Sequence, residues 1–148
     1  MAPVKDANRQ ARVWADLAVG SGPEPFVAPP LTRTDFVRYQ GASGDLNPIH
    51  HDEEFAQAAG FPTVFAPGML QAGILGSYVT SWLGAANLRR FAVQFREQAW
   101  PGDVLTYAAT VTSLREQDGR TFADLTLLVT RQTGGVHLRG EATFIVPL

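Results

Sequence analysis

The stretch PGMLQAGILGSYVTSWLG, residues 67–84, decides the fold. Pro67 suits a first helical turn and Gly84 suits a stop, so the spacing predicts a helix of about four turns. Apolar residues fall on every side of it, which predicts burial on most faces. Ala72, Gly73, Gly76 and Ser77 keep part of its surface small, so a second backbone can approach closely. The helix lies within a run from Phe55 to Leu88 that has no charged residue, a length that would reach across a bilayer. Pro62, Pro67 and the glycines at 60, 68, 73, 76 and 84 punctuate that run, and Gln57, Gln71 and Asn87 sit inside it. The reading is therefore a helix buried in a globular domain, with no membrane span.

Downstream the hydrophobic period changes to two. Phe91, Val93 and Phe95 fall on one face, as do Leu105, Tyr107, Ala109 and Val111, and then Ala123, Leu125, Leu127 and Val129. In VHLRGEATFIV, Val136, Leu138, Ala142, Phe144 and Val146 alternate with His137, Arg139, Glu141 and Thr143, which places His137 on a solvated face. The joints PGD at 101–103, QDG at 117–119 and TGG at 133–135 carry turn chemistry. An antiparallel sheet wrapped around one uncharged helix, an α+β arrangement, accounts for both periods.

Upstream, GSGPEPFVAPPLT reads as an extended lead-in. TRTDFVRYQGASG predicts a short helix capped at Thr32 or Thr34, with an apolar stripe through Phe36, Val37 and Tyr39 and a stop at Gly41. DEEFAQAAG predicts another, capped by Asp52 and ended by Gly60. Residues 1–12 are expected to be a loose tail and 13–148 a single domain, with no repeat or linker dividing it. Trp14, Trp82 and Trp100 are expected as core or interface anchors.

The composition narrows the functional classes. A chain of 148 residues without cysteine has no disulfide, thiolate metal site or catalytic thiol, and fits a cytoplasmic setting. Its 12 basic and 14 acidic residues are scattered, for a net charge of −2, so no basic face invites nucleic acid. The N-terminus lacks the apolar core of a secretory signal.

Between the first two predicted helices lies SGDLNPIHH, residues 43–51. Pro48 fixes its own backbone and biases Asn47 away from the α region, while an Asn side chain can bond back to nearby backbone. In such a rigid turn Asp45 and His50 can face one point, share a water and move two protons in one turnover. The same residues also fit a capped turn with a solvent-exposed histidine. The start of the uncharged helix, at Gly68 and Met69, offers free N–H donors and the positive end of a helix dipole, which suit an oxyanion. His51 should point away from His50 into solvent, and HHDEE is not expected to bind a metal, because neighbouring side chains diverge. Arg89, Arg90 and Arg96 read as solvated charges, with coenzyme A phosphates or an acidic carrier protein as the alternative.

SGDLNPIHHDEEFAQAAGF followed by PGMLQAG resembles the hydratase motif of the MaoC-like family of (R)-specific enoyl-thioester hydratases and dehydratases, which have a hot-dog fold. The resemblance runs from WADLAVG through WPGDVL to the last strand, and looks closest to the catalytic beta subunits of (3R)-hydroxyacyl-ACP dehydratases of the mycolic-acid type. It implies Asp45 and His50 as the catalytic pair, Asn47 as support of the loop, and the Gly68 amide, with Met69 beside it, as the group that polarises a thioester carbonyl. It also implies an acyl-CoA or acyl-ACP substrate, no cofactor or metal, and a homodimer or a heterodimer with a related hot-dog subunit. Pro67 stands where relatives commonly carry histidine, and Gly76 where some carry serine, which bears on pocket shape. A hot-dog thioesterase and a non-catalytic acyl-binding partner subunit are the rival expectations.

Overall fold

A computed structural model describes residues 11–147. Most of the tail expected over 1–12 lies outside the described residues; 11–15 are helical, and Val13, Trp14 and Leu17 pack on the core. Three longer helices follow: α1 (Arg33–Ser43), α2 (Glu53–Ala58) and α3 (Gly68–Leu83). Single 3-10 turns lie at Pro48–His50 and Ala85–Asn87. The strands are β1 (Phe26–Val27), β2 (Leu88–Phe95), β3 (Leu105–Gln117), β4 (Arg120–Arg131) and β5 (Val136–Ile145). They form one antiparallel sheet in the order β1-β3-β4-β5-β2.

The period-two residues of β3 and β4 are buried as expected, and they meet Ala72, Leu75, Val79 and Leu83 of α3 in one core. Asp118 and Gly119 both have positive φ, 52° and 70°, which closes the β3–β4 hairpin with the strand twist. α3 does not bury all its faces within one chain. Met69 is 58 % exposed, and nothing lies within 4 Å of a Cβ built on Gly73.

Three local expectations need correction. The first helix runs through Gly41 to Ser43, and Gly44, with φ of 76°, takes the left-handed cap. Its apolar stripe is absent: Phe36 is buried, Val37 is 56 % exposed, and the second buried residue is Gln40, one turn beyond Phe36. Thr32 is the cap, in a reciprocal box with Asp35 that holds the Asp35 carboxyl below the usual carboxylate range.

The third correction is His137, which is 2 % exposed rather than solvated. Val129 pairs with Leu138 and Thr130 with Val136, so His137 is the extra residue of a β-bulge. One unpaired residue breaks the alternation, and both His137 and Leu138 turn inward.

No helix among the described residues is long and apolar enough to cross a membrane.

Candidate active site

The Asp45–His50 loop is built by local bonds. Asn47 Oδ1 accepts the Ile49 N–H at 3.1 Å and caps the 3-10 turn that Pro48 opens. The Asn47 N–H is 3.4 Å from Asp45 Oδ1, which leaves Asp45 Oδ2 outward. His50 is buried, and its Nδ1 lies 2.7 Å from the Phe65 carbonyl. A carbonyl only accepts, so Nδ1 carries a proton and Nε2 is the atom left to exchange one. Nε2 stands 3.9 Å from Asp45 Oδ2, whose side chain is 44 % exposed. The two groups face each other across a gap that a bridging water fits better than a direct bond.

Gln40, buried inside α1, holds this loop from behind. Its Nε2 donates to the Asn47 carbonyl at 3.0 Å, and its Oε1 accepts from His51 Nδ1 at 3.0 Å. His51 is exposed, as expected, yet it is tied to the loop's support. A signal for Gln40 existed in the sequence: it follows Phe36 by one helical turn, on the same face.

The N-terminus of α3 faces the same cleft. Pro67 is the cap residue rather than the first helical one, and the Gly68 and Met69 N–H groups have no hydrogen-bond partner among the described residues. A cleft of about 350 Å³ is lined by Asp45, Phe65, Gly68, Met69, Phe95 and His137, with Arg96 at its wall. A Cβ at Gly68 would lie 2.8 Å from the Phe95 ring, so a larger residue there would require that half-exposed side chain to move. Neither Asn47 nor His50 lines this cleft: His50 meets it through Asp45, 3.9 Å away, and Asn47 acts within the loop. Arg90 is paired with Glu141 at 2.8 Å, whereas Arg89 bonds backbone carbonyls.

Sequence reasoning missed Phe65, Phe95 and His137 as cleft residues. Phe95 was placed on a core face, but it is 46 % exposed where β2 leaves the sheet. Trp100 stacks edge-on against Phe65 at 5.9 Å, and Phe65 against the His50 ring at 5.2 Å, so one aromatic row fixes the imidazole. Among the described residues no three His, Cys, Asp or Glu side chains cluster to hold a metal.

An ion pair joins buried Asp103 to partly exposed Arg131, with Nε to Oδ2 at 2.8 Å. Burial pushes the Asp103 carboxyl up, but bonds from Arg131, the Trp100 N–H and Gln132 outweigh it and hold it below the usual range.

Both the sequence and the fold of this chain recur among known proteins. An (R)-specific enoyl-CoA hydratase of Rhodospirillum rubrum is 31 % identical over 132 residues, covering 87 % of this chain and 89 % of that one. The solved (R)-hydratase from Aeromonas caviae involved in PHA biosynthesis superposes with a TM-score of 0.78 at 27 % identity, over 89 % of this chain and 98 % of that one. The ChsH1-ChsH2 complex from Mycobacterium tuberculosis shares the fold, with a TM-score of 0.76 at 19 % identity over 88 % of this chain and 98 % of that one. The sheet curled on α3 is thus the hot-dog fold expected from the sequence. Residues 16–132 match the MaoC like domain, so sequence and architecture agree that the chain belongs to the MaoC-like dehydratase family.

Proposed function

We propose that this chain is a hydro-lyase that reversibly adds water to a trans-2-enoyl thioester of CoA or acyl carrier protein, giving the (R)-3-hydroxyacyl thioester, in a cytoplasmic setting. The observation that carries this reading is that Asp45, whose Oδ2 stands 3.9 Å from His50 Nε2, lines one cleft with Gly68 and Met69, whose N–H groups are unbonded among the described residues. Relatives named as (R)-specific enoyl-CoA hydratases and as 3-hydroxyacyl-ACP dehydratases support it.

In hydration, a water held between Asp45 and His50 loses a proton to one of them, with Asp45 the favoured acceptor, as its oxygen attacks C3. The electron pair moves to the thioester oxygen, where the Gly68 N–H stabilises the enolate-like charge. The other member of the pair delivers a proton to C2. The net change is one H and one OH added, so neither a cofactor nor a metal is needed.

Hydration of crotonyl-CoA, followed as loss of the enoyl absorbance, tests this. Loss of absorbance without free CoA supports a hydratase; release of CoA would mean a thioesterase. Asp45→Asn and His50→Ala should each lower turnover by about 10²–10⁴, and together by far less than the product. Near-wild-type rates in either folded variant would refute the mechanism.

The open face of α3 at Gly73 and Ser77, with the exposed Met69 and Phe95, supports assembly with a second hot-dog chain, either a copy or a related subunit. A neighbour of this fold was solved as a complex, ChsH1-ChsH2.

A further inference from the structure

We infer that His137 is a binding residue for the carrier arm, its Nε2 accepting the amide N–H that lies two methylenes beyond the thioester sulfur. This rests on the thioester reading above. His137 is the extra residue of the β5 bulge, the local device that turns its ring to the cleft wall it shares with Asp45 and Gly68. Its Nδ1 lies 2.6 Å from the Glu97 carbonyl and must donate to it. Nε2 is buried and has no partner among the described residues.

The charged groups that face the ring are Asp103, Arg131 and Glu97. Asp103 is occupied by Arg131 and Gln132, and Arg131 also reaches Glu97 at 3.6 Å, so none of them bonds Nε2. Burial pushes the imidazole below its usual range, against the pull of the Glu97 carbonyl and the Asp103 charge, so the neutral ring offers Nε2 as an acceptor.

An acceptor selects a donor. The enoyl thioester group has none, and the 3-hydroxyl of the hydrated form belongs to Asp45 and His50. The first donor along the molecule is the cysteamine amide of the arm, which CoA and acyl carrier protein share. Nε2 is shielded from solvent, so the arm must displace a cover. Phe95, 6.4 Å from the imidazole between ring centroids and 46 % exposed, is the neighbour that can yield with little lost packing.

The test compares two small crotonyl thioesters, of N-acetylcysteamine and of 2-acetoxyethanethiol, in which an ester oxygen replaces the N–H. Wild type should favour the amide by about 10–100-fold in kcat/KM, because the ester leaves the acceptor unpaired against an oxygen. His137→Ala and His137→Phe should shrink that preference to about 2–3-fold or less, through a higher KM on the amide substrate. A purely structural role would slow both substrates alike and keep the ratio. Equal use of the two by wild type, or a preference that survives in the folded variants, overturns the inference alone. Wild type inactive on both and on crotonyl-CoA overturns the thioester reading with it. On crotonyl-CoA and crotonyl-acyl carrier protein, the better carrier identifies the source of the arm, and its KM should rise about 10-fold in His137→Ala; an unchanged KM overturns the inference.

Discussion

Gln40→Met is the sharpest perturbation of the loop, because it keeps the side chain's length and removes both of its bonds. The two are at 3.0 Å, to the Asn47 carbonyl and from His51 Nδ1. At about 1 kcal/mol net each, they contribute about 2 kcal/mol. Part of that returns in the variant. The Asn47 carbonyl keeps its bond from the His50 N–H at 3.2 Å, and exposed His51 regains water. The expected loss of stability is thus about 1–2 kcal/mol, read as a lower urea midpoint at constant slope. The effect on rate is the more telling one. The Asn47 carbonyl sits between Asp45 and His50, and loosening it lets their 3.9 Å spacing wander. Turnover of crotonyl-CoA should fall about 10–100-fold with KM little changed, since a misplacement near 1 Å costs about that much. Gln40→Glu should be worse, because a carboxylate cannot donate to Asn47. If Gln40→Met loses stability but keeps its turnover, Gln40 is only a core residue and the reasoning fails.

Four further outcomes are expected. Gly68→Pro deletes the donor N–H and should cost about 10²–10³ in turnover, whereas Pro67→His leaves that donor and should change acyl-chain preference more than the best rate; steady-state kinetics on short, medium and long enoyl thioesters check both. The depressed Asp103 carboxyl stabilises the fold above its unfolded value of 3.8, and that stability is lost as pH falls through its lower folded value. Losing the bonds to partly exposed Arg131 should make Asp103→Asn cost about 1–3 kcal/mol at pH 7, a gap that narrows below pH 3.8 in urea titrations. Light scattering at micromolar concentration should find a dimer or larger, and a stable, active monomer would contradict the assembly drawn from α3.

The sequence by itself determined whatever short-range chemistry controls. Asn47 and Pro48 build the turn between Asp45 and His50, and Asp118 and Gly119 close a hairpin, each within a few residues of chain. The period of two in β3 and β4 likewise names the buried face, because side chains alternate across any strand. Tertiary structure alone decided what depends on distant partners. The His50 tautomer is set by the Phe65 carbonyl, and the space beside Gly68 by the Phe95 ring. His137 shows the reason most plainly. A single unpaired residue between β4 and β5 reverses the side it faces, and strand pairing, which no local pattern encodes, put that residue there.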